Sequence, residues 1–262
     1  MTRALEAAHL LARFAADFRT RAALVSCYAS LLSTTTSAEP VELRLRLGGR
    51  VVPLHMRKSD IFTLGEILHE GQYRLVSRLP ERPVIFDAGA NVGVSALWFL
   101  AQHPGAQLHC FEPEAENFRL LEANLGGRKN VRLTRAALGA RSGEALLHVA
   151  EHGAMHSVVD AGAGERAQRV PQLGLGEYVQ SEGVERIDLL KIDVEGSELD
   201  LLLGLGDRID RVTVVAGELH EKFVDADAFY GLLERNGFRI LERRPAAGEE
   251  GVHLFEASAE GP

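Results

Sequence analysis

A chain of 262 residues with 46% hydrophobic and 25% charged residues has the balance of a folded globular protein with a sizeable core. A formal net charge of −8 argues against a nucleic-acid partner, which favours a basic face. No apolar run reaches the roughly 18 residues of a membrane-spanning helix, so no membrane partner is expected.

The first 35 residues read as helix. Leu5, Ala8, Leu11, Ala12 and Ala15 recur at helical spacing, and the acids within that stripe, with no cleavage site after it, do not make a secretory signal. Two cysteines, Cys27 and Cys110, stand in no metal or redox spacing and read as buried thiols of a reducing, cytoplasmic compartment. After the polar break STTTSAEP, the stretch VELRLRLGGRVVPLHM alternates about Gly48-Gly49 as a β-hairpin. DIFTLGEILHEGQY then reads as helix, with Asp60 as its cap. Residues 1–80 are therefore expected to form a cap, and residues 81–262 a catalytic domain.

From residue 83, strands alternate with helices. PVIFDA, AQLHCFEP, NVRLTRAAL, RIDLLKIDVEG and RVTVVAGELH are strands. Helices follow at VGVSALWFLAQHP, EAENFRLLEANLGG, SELDLLLGLGD and DADAFYGLLERNGF. Strands apolar on both faces imply a parallel sheet covered by helices. FRILERR and GVHLFEASA have no helix between them and must pair antiparallel. The expected fold is α/β: a mostly parallel seven-stranded, Rossmann-like sheet ending in an antiparallel hairpin.

In such sheets ligands bind beyond the carboxyl ends of the strands. The first strand ends at Asp87, and Gly89, Asn91 and Gly93 follow at every second position. Glycine and asparagine tolerate positive φ, and glycine lets backbone approach a ligand. D-x-G-x-N-x-G is not the G-x-G-x-x-G of dinucleotide sites. An anionic neighbourhood without a phosphate cradle suits S-adenosyl-L-methionine better, and Glu112, 25 positions after Asp87 at the next strand end, can accept bonds from ribose hydroxyls.

The segments DAGANVGV, FEPEAENFRLLEAN, LLKIDVEGSEL and GELH resemble the FkbM-type family of S-adenosylmethionine-dependent methyltransferases, over roughly residues 55 to 240. The resemblance implies the class I methyltransferase sheet and O-methylation of small molecules and sugars. It implies that Asp87, Gly89, Asn91, Gly93 and Glu112 line the cofactor. Arg57, Ser59, Asp60 and Tyr73 would fold over its pocket. Asp193 and Glu195 would stand where cofactor and substrate meet, Asp193 touching both. Residues 1–50 and 150–170, where substrate choice would be set, match no part of the family pattern.

A hydroxyl nucleophile benefits from a base. Lys191, Asp193 and Glu195 share strand parity, and a lysine in an apolar strand is normally paired with an acid such as Asp193. Ser197 and Glu198 read as helix-start residues, and Glu195 itself could be a cap or salt-bridge residue there. His220 is the one histidine of ten at a strand end beside this crevice, and an imidazole of ordinary pKa suits base catalysis. His220, Asp193 and Glu195 are the candidate catalytic residues. A structural histidine, or a divalent ion on these three, are the alternatives; the metal is not the favoured one. His152, His156 and Ser157 fall in a glycine-rich stretch that reads as a lid. The expected partner is a small molecule with a hydroxyl acceptor, and homo-oligomerisation is left open. The rival functions are RNA or protein methylation on the same fold, NAD-dependent oxidoreduction, and a non-catalytic binding module.

Overall fold

The structure, a computed structural model, describes residues 3–31, 39–149, 166–247 and 249–259. Two helices, α1 (Arg3–Arg13) and α2 (Phe18–Ser30), take the place of the single N-terminal run. Asp17 divides them: it is extended at φ −147°, and its carboxylate accepts from Thr20 N at 2.8 Å, which caps α2. β1 (Pro40–Leu47) and β2 (Arg50–Arg57) form the expected hairpin, with Gly48 and Gly49 both at positive φ in the turn. The next segment changes pitch along its length. A 3₁₀ turn (Lys58–Asp60) leads into α3 (Ile61–Gly65) and then a π turn (Glu66–Glu70).

The strand–helix alternation follows as β3 (Val84–Ala88), α4 (Val94–Gln102), β4 (Gln107–Phe111), α5 (Ala115–Leu125) and β5 (Val131–Thr134). Here the chain departs from the sequence expectation, because NVRLTRAAL is two strands. After a tight turn at Ala136, β6 (Ala137–Gly139), β7 (Gly143–Val149) and β8 (Arg166–Gly174) build a separate three-stranded sheet. The proposed lid residues His152, His156 and Ser157 lie outside the described residues. The alternation resumes with α6 (Leu175–Ser181), β9 (Ile187–Ile192), α7 (Glu198–Leu205), β10 (Val212–His220), α8 (Ala226–Arg235), β11 (Arg239–Pro245) and β12 (Val252–Ser258).

Seven strands make the main sheet in the order β11-β12-β10-β9-β3-β4-β5. β3, β4, β5, β9 and β10 are mutually parallel, while β12 is inserted antiparallel to both β10 and β11. The strand period sends alternate residues to two cores. Ile85, Leu189 and Val214 pack with α4, α5 and the cap, whose Leu10, Leu24, Leu43 and Met56 belong to the same apolar cluster. Phe86, Leu190 and Val215 pack with α6, α7 and α8. From β3 the chain winds outward to β5 and returns on the other side at β9. The strand order therefore reverses between β3 and β9, and the crevice at their carboxyl ends is the expected ligand position.

Candidate active site

The loop after β3 alternates into the left-handed region at Gly89 (φ 76°), Asn91 (φ 48°) and Gly93 (φ 92°). Gly89 has no alternative: a Cβ there would lie 1.8 Å from the Asp193 carbonyl oxygen. The close approach is fixed by Lys191, which is buried and donates to the carbonyls of Ala88 at 3.1 Å and Gly89 at 2.6 Å. Lys191 also pairs with Asp87 Oδ1 at 3.0 Å and Asp193 Oδ2 at 3.4 Å. Burial opposes its charge, but the two aspartates raise its pKa overall. The Asp87 carboxylate is wholly buried and accepts from Ser95 Oγ at 2.6 Å. It braces the loop from behind and does not border either cavity described below, where the sequence had placed it. Gly93 likewise faces the Leu121 side chain, which a Cβ would meet at 2.8 Å.

One cleft is bordered by Gly89, Asn91 and Glu112, with Phe111, Pro113 and Leu138 as apolar walls. Glu112 Oε2 accepts from Asn91 N at 2.9 Å, and Oε1 from Glu114 N at 2.9 Å and Asn117 Nδ2 at 3.4 Å. Burial pushes its pKa up to about 7 against the pull of these N–H donors. Asn91 Oδ1 is buried with no hydrogen-bond partner among the described residues. Behind the cleft, Arg57 clasps buried Asp60 at 3.0 Å and donates to Asn117 Oδ1 at 2.6 Å, tying the cap to α5.

A second cavity of about 320 Å³ opens on the other side of the same loop. Gly89, Asn91, Asp193 and Glu195 border both spaces. Ser59 and Tyr73 line this larger cavity rather than the Glu112 cleft. The Tyr73 hydroxyl donates to Asp193 Oδ2 at 3.2 Å, and burial, then the Asp193 charge, raises its pKa well above the ordinary value. Carboxylates gather here. Burial and then the charges of Glu249 and Asp193 push Glu66 up to about 8. Glu218, which accepts from the Gln72 amide, is raised well above its usual range by burial and then Asp193.

His220 stands at the end of β10, almost wholly buried, among three carboxylates. Its Nδ1 lies 2.7 Å from Glu198 Oε1, and its Nε2 lies 3.1 Å from Glu195 Oε2 and 3.5 Å from Glu218 Oε2. Burial alone would lower its pKa. Hydrogen bonds and charges from Glu195 and Glu198 outweigh that and push it up to about 12. The ordinary imidazole pKa expected from sequence therefore does not hold. Glu195 reaches the ring from a left-handed backbone, φ 52°, and burial raises its own pKa.

The sequence pattern of the methyltransferase FkbM domain matches residues 87–240, the span from the end of β3 to the start of β11. The chain belongs to the FkbM methyltransferase family. It is a methyltransferase built on the class I sheet, in agreement with the resemblance read from its motifs. Family relatives include the 31-O-demethyl-FK506 methyltransferase FkbM of Streptomyces tacrolimicus, 28% identical over 82% of this chain and 95% of that protein. The 2-O-methyltransferase NoeI of Sinorhizobium fredii is 27% identical over 72% of this chain and 82% of its own length. The AMB antimetabolite synthetase AmbE of Pseudomonas aeruginosa is 28% identical over 91% of this chain, which spans only 13% of that protein. A methyltransferase FkbM structure from Methylobacillus flagellatus covers 96% of this chain and 58% of its own at 14% identity, with a TM-score of 0.49.

Within this family member, several site residues were not singled out from the sequence. Glu198 starts α7, in keeping with its helix-start reading, and is also fully buried against His220, which the sequence did not show. Gln72, Glu66 and Glu249 reach the cavity from the cap and the C-terminal loop, and no local pattern marks them. Among the described residues, Asp193, Glu195 and His220 offer ligand atoms within 4.8 Å of one another, as do Glu218, His220 and Glu249. No helix among the described residues is long and apolar enough to cross a membrane.

Proposed function

We propose that this methyltransferase uses S-adenosyl-L-methionine and methylates a hydroxyl of a small molecule, a natural product or a sugar-containing metabolite. The observation that carries this reading is the pair of spaces meeting at Gly89, Asn91, Asp193 and Glu195. One is narrow, with apolar walls and an acid at its end. The other is roomy and lined by carboxylates. The chemistry of the first suits a nucleoside: Phe111, Pro113 and Leu138 offer faces for a flat ring, Glu112 would accept from ribose hydroxyls, and the buried Asn91 Oδ1 lacks a donor among the described residues. When bound, S-adenosylmethionine supplies a methyl group on a cationic sulfur. Asp193 and Glu195, at the junction, would balance that positive charge and hold the acceptor hydroxyl beside it. Their carboxylates are also placed to take the hydroxyl proton, with the charged His220 ring steadying Glu195 through Nε2. The larger cavity, about 320 Å³, is at the small-molecule end of ligand pockets. The names of the 31-O-demethyl-FK506 methyltransferase and 2-O-methyltransferase relatives support an acceptor of this class. A cytoplasmic location belongs to the same reading, supported by the free, buried thiols of Cys27 and Cys110.

Calorimetric titration with S-adenosylhomocysteine, followed by transfer of labelled methyl to a panel of hydroxylated acceptors, tests it. One bound molecule per chain and label recovered as an ether are expected. A folded protein that binds no S-adenosylhomocysteine overturns the cofactor assignment, and label recovered only on nitrogen or carbon overturns the acceptor class.

A further inference from the structure

We propose that Asp193, Glu195 and the Nε2 of His220 form a binding site for an oxygen-preferring divalent cation such as Mn²⁺ or Mg²⁺, with Glu198 as the buried carboxylate that orients the ring. One ligand atom from each of the three lies within 4.8 Å of the others. An octahedral ion at metal–ligand distances of about 2.1 Å places adjacent ligand atoms about 3.0 Å apart and opposite ones about 4.2 Å apart. The 3.1 Å separation of His220 Nε2 and Glu195 Oε2 matches an edge of that octahedron.

The ring is arranged as a ligand. Glu198 Oε1 accepts from Nδ1–H at 2.7 Å, which turns Nε2 toward the carboxyl groups of Glu195 and Glu218, and an ion bound there takes the place of the proton that Nε2 otherwise carries. A carboxylate behind the ring and hard oxygens in front is the carboxylate–histidine–metal arrangement. The two carboxyl oxygens that Nε2 faces leave a place that either protons or a metal ion fill. Glu195, Glu198 and Glu218 all lean on one imidazole, while Lys191 is engaged by Asp87 and Asp193. Glu198 is fully buried, and its Oε2 has no hydrogen-bond partner among the described residues, so its charge stays uncompensated on that side. Glu195 holds its position through a left-handed backbone, with Gly196 at φ 104° after it. Chain geometry is strained there to bring this carboxylate to the ring.

Asp193 and Glu195 also border the larger cavity. A cation held by them would face the acceptor space and lower the pKa of a hydroxyl that reached it. That catalytic consequence rests on the O-methyltransferase reading; the binding of the ion does not.

Mn²⁺ titration of the chelator-treated, dialysed full chain, followed by loss of the free-ion electron paramagnetic resonance signal, tests the site. The expected result is one Mn²⁺ per chain, competed by Mg²⁺. Asp193→Asn should weaken Mn²⁺ binding at least 10-fold. Glu198→Gln, which touches no ion, should weaken it about 10-fold or more through the ring. Should the buried Glu198 variant fail to fold by circular dichroism, Asp193→Asn and Glu195→Gln carry the comparison, since both side chains are partly exposed. No Mn²⁺ uptake at millimolar concentration, or equal uptake in wild type and the folded variants, overturns the proposal. S-adenosylhomocysteine binding is measured on the same chelated sample. If it binds and Mn²⁺ does not, the metal site falls and the methyltransferase reading stands. If Mn²⁺ binds and S-adenosylhomocysteine does not, the reverse holds.

Discussion

Glu112 is held between two opposing influences. Burial raises its folded-state pKa from 4.5 to about 7, while three N–H donors favour the carboxylate. A raised acid pKa means that the folded chain binds the extra proton between those values. Glu112 therefore contributes stability at low pH that is lost as pH rises toward 7. A ribose whose hydroxyls donate to the carboxylate favours the ionised form. Affinity for S-adenosylhomocysteine should then increase as pH rises through about 7 and level off above it. Glu112→Gln should bind about 2 kcal/mol more weakly, with that pH dependence gone. Calorimetry across roughly pH 6 to 8 checks both, and a mutant that keeps the wild-type pH profile removes Glu112 from the ribose contact. Gly89→Ala makes a simpler forecast. Its methyl group would run into the Asp193 carbonyl, so the loop must shift. The expected outcome is a folded chain, destabilised by about 1–3 kcal/mol, without measurable S-adenosylhomocysteine binding. Normal binding would mean that the loop tolerates a side chain.

At the scale of elements, the cap reaches the cleft at Glu112 through a relay. Arg57 at the end of β2 holds Asp60, grips Asn117 on α5, and Asn117 reaches Glu112. Arg57→Ala takes the guanidinium from the fully buried Asp60 carboxylate and leaves it the backbone N–H of residue 57, which should cost about 3 kcal/mol and lower cofactor affinity as well as the melting temperature. A variant that loses stability but binds S-adenosylhomocysteine normally would show that the relay ends at the cap. The elements themselves were largely legible in the sequence, because strands such as PVIFDA and LLKID are apolar on both faces and the glycines between them are punctuation. Asn91 was legible as a left-handed residue and Lys191 as a paired lysine. The sheet of β6, β7 and β8 was not, because β6 has only 3 residues and its partner β8 lies far along the chain. Glu198 shows a second kind of limit. Helix-start chemistry and burial beside a histidine 22 positions later use the same residue type, and only the packing of α7 against β10 separates them. Asp87 shows a third: the position at the strand end was legible, but which way its carboxylate faces depends on Lys191 from another strand.

Across the whole molecule, the cap and the sheet share one apolar cluster that runs from Leu10 and Leu24 through Ile85 to Val214. Cap and sheet should therefore melt together. Leu24→Ala, which removes a fully buried side chain, should cost about 2–5 kcal/mol and shift a single calorimetric transition rather than split off an early one. Two separated transitions would show the cap to be an independent unit.

The roof of the larger cavity is pinned from the far end of the chain. Glu256 on β12 accepts from the backbone N–H groups of Val76 at 2.6 Å and Ser77 at 2.7 Å, and Gln72 in the same segment donates to Glu218. A ribosome delivers residues in order, at about 5–20 per second, and emerged parts fold as they appear. The hairpin of β1 and β2 and the first parallel strands can form while the chain is still growing, but the segment over the cavity lacks its Glu256 anchor until β12 arrives and threads between β10 and β11. The roof of the larger cavity is thus among the last parts of the protein to be secured during synthesis. Nascent chains arrested before residue 250 should show the cap hairpin protected from protease and the 71–79 segment cut, and full-length chains should protect both.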